Sequence, residues 1–275
     1  MQFIQTYGDL VAEVMALLLI GSILIGMCLA RRIGVTHITI PTKRLKKKKV
    51  RLVLISDIHI GPILGPGFLA KVARIVRAQH PDVLLAAGDL VDTKADLLAR
   101  WSKDFKALFS VAPTYAVTGN HELINGLEET VELLEKCGAR FLRDSSVVDE
   151  RTGITIIGLE EPPNQMQRRS EFGNLEKMLS EADPDRPVVV INHQPRGFEV
   201  VAKHGAELML SGHTHGGQMW PFSYFVWMTY HRYTKGLNAI GDSRIYTLNG
   251  TGTWGPPMRL GANPEVLVVD FVKRK

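Results

Sequence analysis

The feature that most constrains this chain is an apolar run that stops abruptly at a carboxylate. Leu84-Leu85-Ala86-Ala87 has the character of a buried strand, and Gly88-Asp89-Leu90-Val91-Asp92 follows it directly. In open α/β sheets, ligands bind beyond the carboxyl ends of the strands, so Asp89 stands where chemistry is expected. A lone Gly-Asp pair ends many strands as a plain turn. Here it has company. Asp57-Ile58-His59, Gly119-Asn120-His121-Glu122, Asn192-His193 and Gly212-His213-Thr214-His215-Gly216-Gly217 each stand at the end of a segment read as a strand. Carboxylate and amide oxygens mixed with imidazoles are the donors of a two-metal hydrolytic centre. Asp89 is the candidate bridging ligand.

Around these groups the chain alternates between strand and helix signals, which predicts an α/β domain. Val50–Ser56, Val83–Ala87, Pro113–Val117, Val188–Ile191 and Leu208–Ser211 read as strands. Phe68–Gln79 carries apolar residues at Leu69, Val72, Ala73 and Val76, the spacing of an amphipathic helix, and Pro81 stops it. Glu160–Arg169 reads as a polar loop and Glu171–Leu179 as a helix. At 275 residues the chain is long enough for one large domain with a sizeable core.

Before that domain, Leu10 to Ala30 is an apolar stretch whose only charge is Glu13. At about 1.5 Å of rise per residue it reaches roughly 30 Å, the thickness of a bilayer core. A secretory signal would need cations ahead of the apolar run, yet Met1–Leu10 has none and Arg31-Arg32 follow it. A retained single-pass anchor is therefore expected over 1–30, with a basic juxtamembrane linker over 31–49 and the catalytic domain over 50–275.

The formal net charge of +5 belongs to this neck, because residues 31–51 hold nine Lys/Arg and no acid. Residues 52–275 carry 24 cations and 26 anions, a balance of −2, so no nucleic-acid partner is expected. Cations after the span and none before it predict a cytoplasmic catalytic domain. The run Lys43 to Lys49 is expected to attract anionic head groups of the bilayer. Cys28 and Cys137 lack metal-site spacing and imply no disulfide framework.

The five blocks, in this order, resemble the calcineurin-like metallophosphoesterase family, and in particular its membrane-associated bacterial branch. The match covers most of residues 50–271. The resemblance implies a two-sheet β-sandwich flanked by helices and two divalent metal ions, Mn²⁺ being expected with Fe or Zn as alternatives. By the same resemblance Asp57, His59, Asp89 and His215 would hold one metal, and Asp89, Asn120, His193 and His213 the other. His121 would protonate the leaving oxygen, oriented by Asp92. The family's protein phosphatases follow the second block with Arg-Gly, but Asp92 precedes Thr93-Lys94, which argues against a protein substrate. A tyrosinate–iron site is not expected either, since Asp92 stands where purple acid phosphatases carry tyrosine.

Two further features bear on the substrate. Arg259, in Gly255-Pro256-Pro257-Met258-Arg259, is a candidate phosphate contact. Trp220–Tyr233 holds seven of the chain's twenty aromatic residues, and Trp220 and Phe225 are candidate substrate contacts. The segment reads either as a hairpin folded onto the core or as an apolar wall for an acyl chain or an interfacial patch, since Trp and Tyr suit that boundary. The expected function is hydrolysis of a phosphodiester or pyrophosphate bond in a phosphate-containing, lipid-linked substrate such as a nucleotide-linked lipid A precursor. The alternatives are a diesterase for soluble nucleotides and a non-catalytic membrane adaptor that keeps the fold.

Overall fold

The computed structural model describes residues 2–163 and 165–274. Met1 and Lys275, at the ends of the expected anchor and domain, and Asn164, in the expected polar loop, lie outside the described residues. Twelve strands are present among the described residues. They are β1 Gly34–Thr42, β2 Lys49–Ile55, β3 Val83–Ala87, β4 Thr114–Val117, β5 Ala139–Phe141, β6 Ser145–Asp149, β7 Ile154–Gly158, β8 Val188–Ile191, β9 Leu208–Ser211, β10 Gly236–Ile240, β11 Ser243–Thr247 and β12 Glu265–Lys273. The helices are α1 Gln2–Ala30, α2 Pro66–Ala78, α3 Ala95–Leu98, α4 Ser102–Phe109, α5 Asn120–Asn125, α6 Leu127–Lys136, α7 Gln165–Glu181, α8 Phe198–Lys203 and α9 Phe222–Tyr230.

The strands form two six-stranded sheets, ordered β1-β12-β2-β3-β4-β5 and β10-β11-β9-β8-β7-β6. The expected sandwich is present, and strand alternation builds it. Leu52 and Leu54 of β2 face the second sheet, where they meet Leu208, Leu210 and Val189. Val53 and Ile55 point the other way, onto Leu69, Val72 and Val76 of α2 and Phe105 of α4. Leu175 of α7 and Val201 of α8 cover the outer face of the second sheet. Burial of each such side chain stabilises the domain by roughly 1.5–3 kcal/mol.

Strands β2, β3, β4 and β5 run parallel, as do β7, β8, β9 and β11. Cross-sheet hydrogen bonds join the two sets at their carboxyl ends: His213 N donates to Asp57 and His193 Nδ1 donates to Ala87 O. Every candidate ligand therefore emerges at one end of the sandwich, the metal end.

The segment 31–49, expected as a linker, is instead part of the domain. Strand β1 pairs in parallel with β12 from Gly34↔Glu265 to Thr42↔Lys273. Ile40 is buried between the sheets, while Pro41 is exposed on this edge strand, where its missing N–H costs no ladder bond. β1 starts at the metal end and carries the chain away from it by its nine residues. At about 3.3 Å each, they set the lysine run at the opposite end of the strand, roughly 25–30 Å along it from the end of α1. Arg31 and Arg32 remain beside it.

Two other expectations change. α7 begins at Gln165, inside the stretch read as a polar loop. The aromatic segment is neither a hairpin nor core, because α9 is a helix with no buried residue. Tyr7–Ala30 of α1 is long and apolar enough to cross a membrane. Its last turns reach the metal end, where Gly26 O accepts a hydrogen bond from Arg259 N at 3.0 Å.

Candidate metal centre

The candidate ligands are held by unusual backbone. Asp57, His59, Asp89, His213 and His215 have φ of 51°, 52°, 51°, 68° and 50°, in the left-handed region. Such conformations cost about 1–3 kcal/mol each and persist where the surroundings enforce them. Part of that enforcement is a buried acid to which the sequence reading gave no role. Glu122 accepts hydrogen bonds from the backbone N–H groups of Gly119 (2.7 Å), Asp89 (2.9 Å), Leu90 (2.8 Å) and Val91 (3.3 Å). It ties the end of β3 to the start of α5. Its place in the Gly119–Glu122 block was the available signal.

Two groups of donors converge. Asp57, His59 and His215 form one and Asp89, His193 and His213 the other, with the ligand atoms of each group within 4.8 Å of one another. Asp89 joins them, since its Oδ2 lies 3.3 Å from His193 Nε2 and 3.9 Å from His59 Nε2. Asn120 Oδ1 lies 3.2 Å from His193 Nε2, which adds it to the second group.

The contacts within each group fit a cation. His59 Nε2 faces His215 Nε2 at 3.1 Å, and His193 Nε2 faces His213 Nδ1 at 3.1 Å. Lone pairs and carboxylate oxygens so gathered are poor hydrogen-bond partners for one another and good ligands for a divalent ion. The donation of His193 Nδ1 to Ala87 O at 2.7 Å leaves Nε2 free to ligate. With nitrogen and hard oxygen donors and no thiolate, the set suits Mn, Fe or Zn.

Burial and charge act against each other here. Burial raises the carboxyl of Asp57 to about 6, and the neighbouring Asp89 adds to that. Burial also works to raise Asp89, but the imidazoles of His193 and His59 overcome it and hold this carboxyl below its ordinary range. Burial lowers His59 to about 4 and, together with the guanidinium of Arg259, keeps His215 well below its usual value. His193 is also desolvated, yet Asp89 holds it well above.

His121 stands beside both groups. Its N–H donates to Asp89 Oδ1 at 2.8 Å, and its Nδ1 meets Asp92 Oδ1 at 2.9 Å. The ring packs edge-on against His59, with centroids 4.6 Å apart, and lines the cavity. Its carboxylate partner and its position suit a proton donor.

The cavity has a volume of about 520 Å³. Its floor is ligand residues, and its wall includes Phe222, Phe225, Val226 and Tyr230 of α9 with Trp254. Phe225, a candidate substrate contact, lines this cavity. Trp220 is 75% exposed and does not line the cavity. Trp254, missed in the sequence, is held by Gln218: its N–H donates to Oε1 at 2.9 Å and its carbonyl accepts from Nε2 at 2.7 Å.

Arg259 is not a phosphate contact. It is completely buried, and Nη1 donates to the carbonyls of His215 at 2.9 Å and Asn249 at 2.7 Å. Nη2 donates to Gly252 O and lies 3.1 Å from His215 Nδ1. The guanidinium supports the loop that carries His215 from behind.

Comparison with known proteins agrees with this geometry. Residues 50–217 match the family model described as calcineurin-like phosphoesterase. The chain is 30% identical over 233 residues to a protein named uncharacterized metallophosphoesterase from Aquifex aeolicus, covering 84% of this chain and 88% of that one. It is 31% identical over 248 residues to the transmembrane protein with metallophosphoesterase domain of Bos taurus, covering 85% of this chain but 56% of that one. It is 30% identical over 237 residues to the phosphodiesterase YaeI of Escherichia coli, covering 81% and 82%. Among solved structures, the Plasmodium protein GAP50 superposes with a TM-score of 0.53 at 12% identity, over 82% of this chain and 81% of that chain, a likeness of fold.

Proposed function

Because the chain belongs to the calcineurin-like phosphoesterase family, a family of metal-dependent phosphoester hydrolases, we propose that it is a membrane-anchored phosphoesterase whose substrate is a lipid-linked phosphodiester or pyrophosphate. The observation that carries this reading is the cavity wall. Beside the ligand floor, α9 presents Phe222, Phe225 and Val226, which a small soluble ester has no use for. An acyl chain against such a wall is favoured by roughly 0.8 kcal/mol per buried methylene. The end of α1 lies at the same end of the sandwich, which supports a substrate drawn from a bilayer.

Asp57, His59, Asp89 and His215 would hold one divalent ion, and Asp89, Asn120, His193 and His213 a second. Bound there, the ions supply an activated water nucleophile at neutral pH and offset the charge that develops on the phosphoryl oxygens. The chain's own residues do the rest. As the bond from phosphorus to the leaving oxygen breaks, His121 passes a proton from Nε2 to that oxygen. Asp92 keeps Nδ1 protonated and the ring oriented throughout. The cations that follow α1 support a cytoplasmic orientation.

The test uses the full chain in nanodiscs with Mn²⁺, against bis-nitrophenyl phosphate, a soluble nucleotide diester and a long-chain lipid pyrophosphate. The lipid substrate is expected to have the highest kcat/KM. A soluble diester turned over as well as the lipid, at equal kcat/KM, would overturn the lipid reading while leaving the phosphoesterase intact.

A further inference from the structure

Helix α9 has two apolar faces, and the cavity uses only one. Phe222, Phe225, Val226 and Tyr230 turn inward, at helical spacing. Tyr224, Trp227 and Met228 lie on the opposite side and do not line the cavity, 59%, 49% and 47% exposed beside 57% and 56% for Phe222 and Phe225 at the open cavity, and Trp220 stands just before the helix at 75%. Tyr224 stacks on Trp227 with ring centroids 6.1 Å apart and an interplanar angle of 24°. No residue of α9 is buried and none is charged. A helix apolar all round belongs in a core or a membrane, and an exposed aromatic patch marks an interaction surface.

Three observations identify what covers this surface. First, it is continuous with the anchor: Trp220 N donates to Leu260 O at 2.9 Å, and a side-chain carbon on Gly26 of α1 would meet Leu260 Cγ at 3.4 Å and Met258 Cε at 3.3 Å. Second, other exposed apolar side chains gather at the same end. Ile63 follows His59, Ile124 follows Asn120 and Trp254 follows β11, at 59%, 70% and 57% exposure. Third, exposed Arg31 and Arg32 directly follow α1, and Arg232 and Lys235 follow α9. Trp and Tyr flanked by cations suit the boundary between head groups and acyl chains.

We propose that α9 is an interfacial helix whose outward face, Trp220, Tyr224, Trp227 and Met228, lies in the head-group layer of the bilayer that α1 crosses. The cavity then opens at the membrane surface, its inner apolar wall continuous with the lipid. This rests on the anchored reading given above, and it does not require that the substrate be a lipid.

The experiment is tryptophan quenching in the full chain, reconstituted in nanodiscs of phosphatidylcholine and phosphatidylglycerol with or without bromine on the acyl chains. Co-elution with the discs establishes the anchor separately. The native protein is expected to lose the larger part of its tryptophan emission in brominated lipid. Trp220→Phe combined with Trp227→Phe should abolish most of that loss, while turnover of bis-nitrophenyl phosphate stays unchanged. If these variants fold poorly, the native chain still decides. Emission that brominated lipid leaves untouched in disc-bound protein overturns the proposal. So does protection of Trp227 from aqueous acrylamide that depends on protein concentration, which would assign the face to a second copy of the chain. Failure of the lipid-substrate reading would leave the quenching unaltered.

Discussion

Arg259 connects α1 to the candidate metal centre: its backbone N–H donates to Gly26 O at 3.0 Å while its guanidinium donates to His215 O at 2.9 Å. Burial lowers this guanidinium to about 10, with Asp57 and Glu265 acting to raise it, and it stays charged at neutral pH. It thereby adds positive charge behind a metal ligand. Its role is to hold the His215 loop in place.

Replacing it should therefore injure both stability and metal content. Arg259→Met removes the donors to Asn249 O and Gly252 O, and each carbonyl left unsatisfied costs about 1–3 kcal/mol, while His215 O loses one of its two donors and keeps Gln218 N. The melting temperature should fall and the metal held by His215 should be lost first, as read by thermal denaturation and metal analysis. Unchanged melting and unchanged metal content would show that the guanidinium does not support the loop.

The close approach of β3 and α5 makes a second prediction. A Cβ on Gly119 would lie 2.2 Å from Asp89 Oδ1, so Gly119→Ala must displace the bridging carboxylate. Metal affinity and turnover should drop together, by an order of magnitude or more. Gly173→Ala, with nothing within 4 Å inside α7, is the control. It should stabilise the protein by about 0.5–1 kcal/mol without touching activity.

Metal uptake should release protons. Without metal, burial holds Asp57 up to about 6 and Asp89 holds His193 protonated. Both must lose a proton to bind a cation, whereas His59, at about 4, is already neutral near pH 7. Affinity should therefore rise as pH climbs through about 6 and continue to rise above it. Calorimetry in two buffers of different ionisation enthalpy reads the released protons directly. Equal heats in both buffers would contradict these protonation states.

His121→Ala should retain metal and lose turnover, because the bond to Asp89 Oδ1 comes from the backbone N–H and survives the change, while the ring itself only packs on His59 and meets Asp92. The loss should be about 10²–10⁴-fold for an alkoxide leaving group and much smaller for nitrophenolate. Comparing the two leaving groups under saturating Mn²⁺ checks the role. An equal loss for both would make His121 a positioning residue.

The candidate ligands were legible because each follows a short apolar run in a compact motif, so local pattern and chemistry agree at Asp57, Asp89 and Asn120. β1 was hidden by its neighbours. Val35-Thr36-His37-Ile38-Thr39-Ile40 has strand composition, but Arg31-Arg32 and the lysine run flank it, and its partner β12 lies at the far end of the chain. The burial of Arg259 was illegible for the same reason: His215, Asn249 and Gly252 meet it only in the folded sandwich. The aromatic segment showed its composition but not its two faces, which depend on α9 having the cavity on one side.

The most direct test is the metal content and turnover of Asp89→Asn in the full chain, measured on one preparation beside the native protein. Asp89 Oδ2 is the atom shared by both donor groups, at 3.3 Å from His193 Nε2 and 3.9 Å from His59 Nε2. The native chain is predicted to hold two divalent ions and to hydrolyse bis-nitrophenyl phosphate. Asp89→Asn should keep its circular dichroism spectrum while losing metal and turnover together. A folded variant that retained both ions and near-native turnover would contradict a two-metal centre bridged by Asp89.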